Sequence, residues 1–558
     1  MTPKLIVPAV AALLVAVCLV ASSQLAEGQK RKSRTKATEV NGKDWRVLRD
    51  ALDEAFEEMQ EDEGIVPAPI VDDGTFLRRV YLDLTGAPPS PAEIAEFEPG
   101  KLRRKQTQEE KREALVEQLL ASPEFADHMA TWWSTIMSER RGYGRGPSYQ
   151  ALRDAFAANT PWDKVVNNVL APSISTRGKR GEVVTYYGRG YIEELAYLQD
   201  FGYLVGMPVK VFLGRQVGCA ECHDHPYDPY TQDDFEAWSA FFKTFVDVRQ
   251  VGDESYISVG REMQFRNTAD LERQLQLKGR YKLPRYLDGT DWKLEPGKSP
   301  RQQMADWVTS PENPWFREMT VNRYMDYFMG IGFVTPVDDF NALNDPTIPV
   351  ILRVLGKDFA DSGFDTRYLV RAIVNSRMYQ RMSAPNPSNQ TDRMLYSRQF
   401  VRELSPEVIE RSILKATGIE RLNPPKGISK KQAEMNAAYG YGSPYRAQLR
   451  ALLTQAYEGD PAVKDLDDRN TNPMRALMFM NGDLLPDGQD NAVKEIMRRT
   501  ADKMKRGELI FQTVLGRSPT EREREILRVT FVRWTGGEEV YEDLFLALMN
   551  TSEFFNRH

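Results

Sequence analysis

A chain of 558 residues is too long for one hydrophobic core, so two or three domains are expected. Hydrophobic residues make up 41% and charged residues 28%, and the net charge of −6 comes from acidic and basic residues mixed throughout, which leaves no basic stripe for nucleic acid. A mean hydropathy of −0.51 argues against a polytopic membrane protein.

The N-terminus reads as a targeting segment. Lys4 gives a thin positive start, Leu5 to Val20 is apolar but shorter than the ~20 residues a spanning helix needs, and Ala21-Ser22-Ser23 offers small residues for cleavage. Residues 1–23 are therefore expected to be a signal peptide. The product would be exported to the periplasm or cell surface, with no membrane span after cleavage. A competing signal follows: Lys30, Arg31, Lys32, Arg34 and Lys36 are cationic flanks that favour an uncleaved anchor. Residues 24–43 are polar, basic and without period, and read as a flexible linker.

From Asp44 the pattern turns helical. Trp45, Leu48, Ala51, Leu52 and Phe56 fall at three- and four-residue steps, as do Leu115, Leu119 and Leu120, and later Ile351, Val354, Leu355 and Phe359. Helix starts are marked by Ser90-Pro91-Ala92-Glu93, Ser405-Pro406-Glu407 and Thr520-Glu521-Arg522-Glu523. Strand character is sparse, best at Glu182 to Tyr187. The expected fold is mainly α: a helical domain over 44–250, a polar connector over 251–297, and a second helical domain over 298–558, with little β structure. Two stretches, Ala384 to Thr391 and Asn423 to Gly442, read as surface loops or lids. An internal echo pairs Gly86 to Glu93 with Gly516 to Glu523, and Leu119 to Phe125 with Leu548 to Phe554. Either two helical hairpins share similar caps, or a helical module is duplicated.

Only 3 Cys and 4 His occur in the chain, and Cys18 lies in the leader. The other two cysteines stand in Cys219-Ala220-Glu221-Cys222-His223, with His225 two residues beyond. The spacing fits covalent attachment of haem c: two thiols form thioethers with the vinyl groups, and His223 becomes the proximal iron ligand. Other readings stay open. Zinc could take both thiols with His223 and His225, although four ligands within seven residues would be strained. The thiols could form a tight disulfide, structural or redox-active, or stay as buried free thiols. Met207, Met263, His128 and His225 are candidates for a sixth iron ligand, with His225 the poorer choice because it lies only two residues past His223. Phe235, Trp238, Phe241 and Phe242 share one helical face, which serves equally well as a haem wall or as ordinary core.

No nucleophile elbow, zinc-protease motif, phosphate loop or dinucleotide fingerprint occurs. The carboxylate pairs Asp72-Asp73, Asp233-Asp234 and Asp338-Asp339 read as solvated or capping groups. Asp338-Asp339 is the best of them, and with Asn322-Arg323-Tyr324 it reads first as a buried ion pair.

Thr75 to Gly86, Leu119 to Phe125 and Cys219 to Phe242 resemble domain of unknown function 1549. Thr320 to Tyr324, Pro336 to Phe340, Asn375 to Gln380 and Leu515 to Thr520 resemble domain of unknown function 1553. The resemblance implies an exported protein of a type common in planctomycete-type bacteria. It also makes the Cys-x-x-Cys-His motif a family feature, and it carries over no catalytic residue. The functional expectation is an exported c-type haem protein, acting in electron transfer or haem-based redox chemistry with a redox partner. The alternatives are a non-enzymatic envelope scaffold with a Cys-pair staple, or a metal-dependent hydrolase of an extracellular polymer with His223, His225 and Asp224 or Asp228 as ligands.

Overall fold

Asp44 accepts a hydrogen bond from the Arg46 amide and so starts the first helix, α1 (Trp45–Asp62), whose Leu48, Leu52 and Phe56 are buried at the spacing expected. The computed structural model describes residues 41–97, 107–137, 147–171, 200–251, 254–259, 265, 267–277, 282–419, 449, 453, 484–485, 490–533 and 537–558. The signal peptide, most of the basic linker, the strand expected at 182–187, the 423–442 loop and Met263 lie outside them.

Helices then follow in order: α2 (Asp73–Thr85), α3 (Pro91–Phe97), α4 (Gln108–Leu120), α5 (Pro123–Met137), α6 (Pro147–Ala157), α7 (Trp162–Leu170), α8 (Phe201–Leu213) and α9 (Gln232–Lys243). An antiparallel hairpin comes next, β1 (Val246–Val251) on β2 (Glu254–Val259), with Val246 opposite Val259. The second half contains α10 (Thr268–Leu277), α11 (Pro300–Val308), α12 (Pro314–Met329), α13 (Pro349–Asp361), α14 (Thr366–Val374), α15 (Arg377–Gln380), β3 (Arg402–Glu403) and α16 (Pro406–Thr417). It closes with α17 (Ala492–Arg499), α18 (Lys503–Leu515), α19 (Glu521–Arg533), α20 (Glu539–Met549), α21 (Ser552–Phe555) and β4 (Asn556–Arg557), which pairs with β3. The described residues are mainly helical, and among them no helix is long and apolar enough to cross a membrane.

The connector is more than a linker. It holds β2 and α10, and its Tyr286 and Trp292 rings pack on Phe241 of α9. The 384–391 segment is also tied down. Asn386 donates to the Val66 carbonyl, the Val66 amide donates to Ser388, and Asn389 is fully buried.

Hydrophobic packing divides later in the chain than composition does. One core runs from Leu48 to Phe400 and draws on residues from both sides of the connector. A smaller core runs from Leu404 to Phe554 and takes in Leu82 from α2. Each large apolar side chain in these cores contributes about 1.5–3 kcal/mol by leaving water.

Buried charges join the two cores. Arg78 of α2 donates to the carbonyls of Leu515 and Glu553, and Arg79 donates to those of Tyr379, Arg381 and His558. Asp83, a turn further on, accepts from the Tyr379 hydroxyl at 2.6 Å and lies 2.9 Å from the Arg557 guanidinium. Arg402 stands 3.9 Å away on its other oxygen. Burial pushes the Arg79 and Arg402 guanidinium pKa values down to about 10, with Arg557 adding repulsion in both cases.

The echo has a structural counterpart. Gly86 and Gly516 both end a helix in the left-handed conformation, at φ 71° and 66°. Each is followed by a reciprocal cap, Ser90 with Glu93 and Thr520 with Glu523. Each segment ends on a buried phenylalanine, Phe125 or Phe554. The two corners also touch, because a Cβ on Gly516 would lie 2.7 Å from Pro88.

Candidate functional site

The Cys-x-x-Cys-His stretch sits on the loop that joins α8 to α9, and both ends of that loop are clamped. Asp200 caps α8 by accepting from the Tyr203 amide at 2.9 Å. Gly214 ends the helix at φ 67°, and a Cβ there would lie 2.7 Å from the Phe340 ring and 2.9 Å from Met319 Sδ. At the far end Thr231 and Asp234 form a reciprocal cap on α9.

Between these ends a single 3₁₀ turn spans Gly218–Glu221. Val217 and Ala220 point inward and are buried, and the Ala220 amide donates to the Val217 carbonyl. The Glu221 carboxylate rests against Gly202 of α8, where a side chain would push it aside. Burial raises its pKa, the nearby Asp200 charge adds to this, and Lys243 opposes it. With the turn held from beneath, Cys219, Cys222 and His223 are all exposed, and both cysteines are free thiols.

The two histidines are held in opposite protonation patterns by the backbone. His223 Nδ1 lies 2.8 Å from the Asp224 carbonyl oxygen. A carbonyl can only accept, so Nδ1 carries the proton and Nε2 keeps its lone pair, which is the arrangement of a metal-ligating imidazole. His225 Nδ1 faces the amides of Tyr227 at 3.3 Å and Asp228 at 2.9 Å. An amide N–H can only donate, so Nδ1 is the acceptor and the proton of the neutral ring sits on Nε2. His225, considered from the sequence as a metal ligand and as a sixth iron ligand, thus has its Nδ1 engaged by the backbone.

A loop about 120 residues further on completes the site. The Phe340 amide donates to the Gly214 carbonyl at 2.9 Å, and Arg215 donates back to the Phe340 carbonyl at 2.7 Å. Gln216 reaches Asp339 at 3.2 Å, and the Ala342 amide donates to Asp228 at 3.3 Å. Asp228 is buried and anchors this contact. Tyr227 and Leu343, on the two loops so joined, are 63% and 76% exposed, which leaves an aromatic and an aliphatic side chain open on these loops. Sequence reading did not foresee this contact. Its one available signal was Gly214, a glycine just past a helical run.

The Asp338 loop is itself fixed from α12. Asn322, fully buried, donates to the carbonyls of Val334 and Val337 and accepts from the Val334 amide. Arg323 and Asp338 form a buried ion pair at 3.4 Å, the structural reading expected for this cluster.

Other sequence candidates lie elsewhere. Met207 is buried within α8. His128 is buried on α5 with Nε2 held 2.6 Å from the Tyr327 hydroxyl, and burial pushes its pKa down to about 3. The Phe235, Trp238, Phe241 and Phe242 face is core. Trp238 packs on Trp307, and Phe241 packs on Tyr286 and Trp292. Asp233 and Asp234 pair with Lys282 and Arg285, while Asp72 caps α2 and Asp73 pairs with Lys111 and Arg112. Among the described residues no three His, Cys, Asp or Glu side chains converge to hold a metal ion. His223, His225, Asp224 and Asp228 are thus close in sequence without forming a ligand set.

Two protein-family models match the chain, one described as protein of unknown function (DUF1549) over residues 51–247 and one as protein of unknown function (DUF1553) over residues 300–531. No curated protein and no solved structure matches it.

Proposed function

The chain belongs to the proteins that carry DUF1549 and DUF1553 in tandem, and on that premise we propose that it is an exported c-type haem protein serving electron transfer or haem-based redox chemistry. One observation carries the reading. Cys219, Cys222 and His223 are all exposed on one turn and the residues just after it, with His223 Nδ1 engaged by the Asp224 carbonyl so that Nε2 is the nitrogen left for a ligand. Each thiol adds across one vinyl C=C, sulfur bonding to one carbon and the thiol hydrogen going to the other, so attachment needs reduced, accessible cysteines and no oxidant. Haem bound there would supply an iron that exchanges one electron. The buried Val217 and Ala220 hold the turn from beneath and leave its thiols accessible. Export rests on the apolar leader, and the partner would be a redox or envelope protein of the same compartment.

Two alternatives have less support. A scaffold stapled by this cysteine pair would favour a bonded, shielded pair, whereas these thiols are free and exposed. Zinc, for a structural or hydrolytic site, would need a tetrahedral set that the described residues do not assemble.

The test is expression of the full chain with a c-type maturation system, followed by haem staining of a denaturing gel. The stain is expected on the wild-type band and lost in Cys222→Ser. An unstained wild-type band whose two thiols still alkylate would overturn the reading.

A further inference from the structure

A groove of about 710 Å³ lies between the two family-matched regions and shares no residue with the Cys219–His223 turn. Its walls come from α1, the start of α4 and the Asn375–Gln380 stretch. The α1 wall is one stripe. Asp50, Asp53, Glu54, Glu57, Glu58 and Glu61 follow at alternating steps of three and one, which places all six on one helical face. Like charges three and four residues apart repel along a helix, so this face is unfavourable until positive charge offsets it. The helix's two bases are drawn aside: Arg46 and Arg49 both reach Glu113 of α4, and Arg49 also takes Asp50 and Glu109. With Glu109 included, the groove sets seven carboxylates against three guanidinium groups. Burial pushes the Asp53 carboxyl up to about 6 despite Arg377 beside it, a sign of how far local positive charge falls short.

Two further observations give the chemistry of an occupant. Asn375, 7% exposed, lines the groove; its Nδ2 donates to the Arg371 carbonyl at 3.0 Å, and its Oδ1 has no donor among the described residues. The donors of the lining, in contrast, are engaged. Arg112 and Gln108 bond Asp73, Gln380 Nε2 bonds the Asn375 carbonyl, and Arg377 pairs with Glu57 at 2.8 Å. The lining thus offers charged and neutral acceptors to a ligand that brings donors. A peptide is a poorer match, because its carbonyls need donors in return. A metal ion is poorer too: the stripe runs about 16 Å along α1, and no three carboxylates among the described residues converge on one point.

We propose that this groove binds a linear polyamine, with its ammonium groups spaced along the α1 stripe, Asn375 Oδ1 as a neutral acceptor and its methylene segments beside Ile70. An ammonium group carries donors and no acceptor, which is the complement of this lining. The site stands apart from the haem reading, and haem attachment at Cys219 and Cys222 should make no difference to it.

The probe is spermine, titrated by calorimetry into the full chain at physiological salt, where saturable binding is expected. Glu58→Gln with Glu61→Gln, both exposed positions, should weaken it about tenfold. Glu521→Gln with Glu525→Gln, an equal loss of charge on exposed positions of α19, should leave it unchanged. Fully N-methylated spermine keeps the charge and loses every N–H, and should bind at least about tenfold more weakly. Equal affinity for the two probes, or equal weakening by the two variant pairs, would reduce the groove to a diffuse counter-ion surface and overturn the proposal. Tighter binding of calcium alone, or of a synthetic peptide covering residues 29–38 of this chain, would assign the groove to a metal ion or a polypeptide and overturn it as well. So would a wild-type chain that takes up no spermine.

Discussion

The turn at Cys219–His223 and the junction around Asp83 treat polar chemistry in opposite ways. At the turn the reactive side chains face water, and apolar residues and main-chain bonds do the holding: Val217 and Ala220 beneath, Asp224 O on His223, and the Tyr227 and Asp228 amides on His225. At the junction the charged side chains are themselves the fastening, sunk between the two cores with Arg79 and Arg557 about 1–2% exposed. Charge buried where it joins elements is structural, while side chains left open on a rigid support are available for a ligand. The contrast predicts large stability effects and no haem effect at one place, and the reverse at the other.

The largest effect is expected at Asp83. Replacing it by Asn leaves Arg557 and Arg402 without their carboxylate in a buried setting, which costs about 3–5 kcal/mol. Urea unfolding followed by circular dichroism measures it. A loss below about 1 kcal/mol would mean that the arginines re-pair, and the junction would no longer count as a charge-dependent fastening.

Gly214 lies between the two regimes, since it is structural but supports the turn. Gly214→Ala must either hold a Cβ at φ 67° or swing the Phe340 ring aside, for a cost of about 2 kcal/mol. Because the Phe340 amide bonds the Gly214 carbonyl, the change should also loosen the motif loop. The readouts are the unfolding midpoint and the alkylation rate of Cys219 and Cys222, with a lower midpoint and faster alkylation expected. A change in the midpoint alone would show that the two loops are not coupled.

Much of this was legible locally. The capping boxes at Ser90 and Thr520 and the apolar period of α1 depend on neighbours within four residues, and both appear as read. The motif was legible for the same reason. Three features were not. The hairpin Val246–Val259 is short, and its pairing, unlike a helix period, leaves little trace in one strand alone. The shared core joins residues hundreds of positions apart, so the polar composition of 251–297 signalled a division that the packing does not follow. The hydrogen-bond partners of His223 and His225 depend on which backbone group faces each Nδ1, a matter of loop conformation that residue spacing does not encode.

The smallest effect on stability is expected where the chemical effect is greatest. Cys219 and Cys222 are exposed and unbonded, and neither belongs to the two hydrophobic cores. The paired change Cys219→Ser with Cys222→Ser should therefore shift apo-protein stability by no more than about 0.5 kcal/mol, the usual range for surface positions. The same pair should remove every covalently held haem. Both results together would show that the turn's shape comes from Val217, Ala220 and Gly214, with the thiols held in reserve for a ligand. If the serine pair instead cost several kcal/mol in the oxidised protein but nothing under reducing conditions, a disulfide would be contributing to the fold. The open, load-free turn would then be a property of the reduced chain alone, and its contrast with the Asp83 junction would narrow to that state.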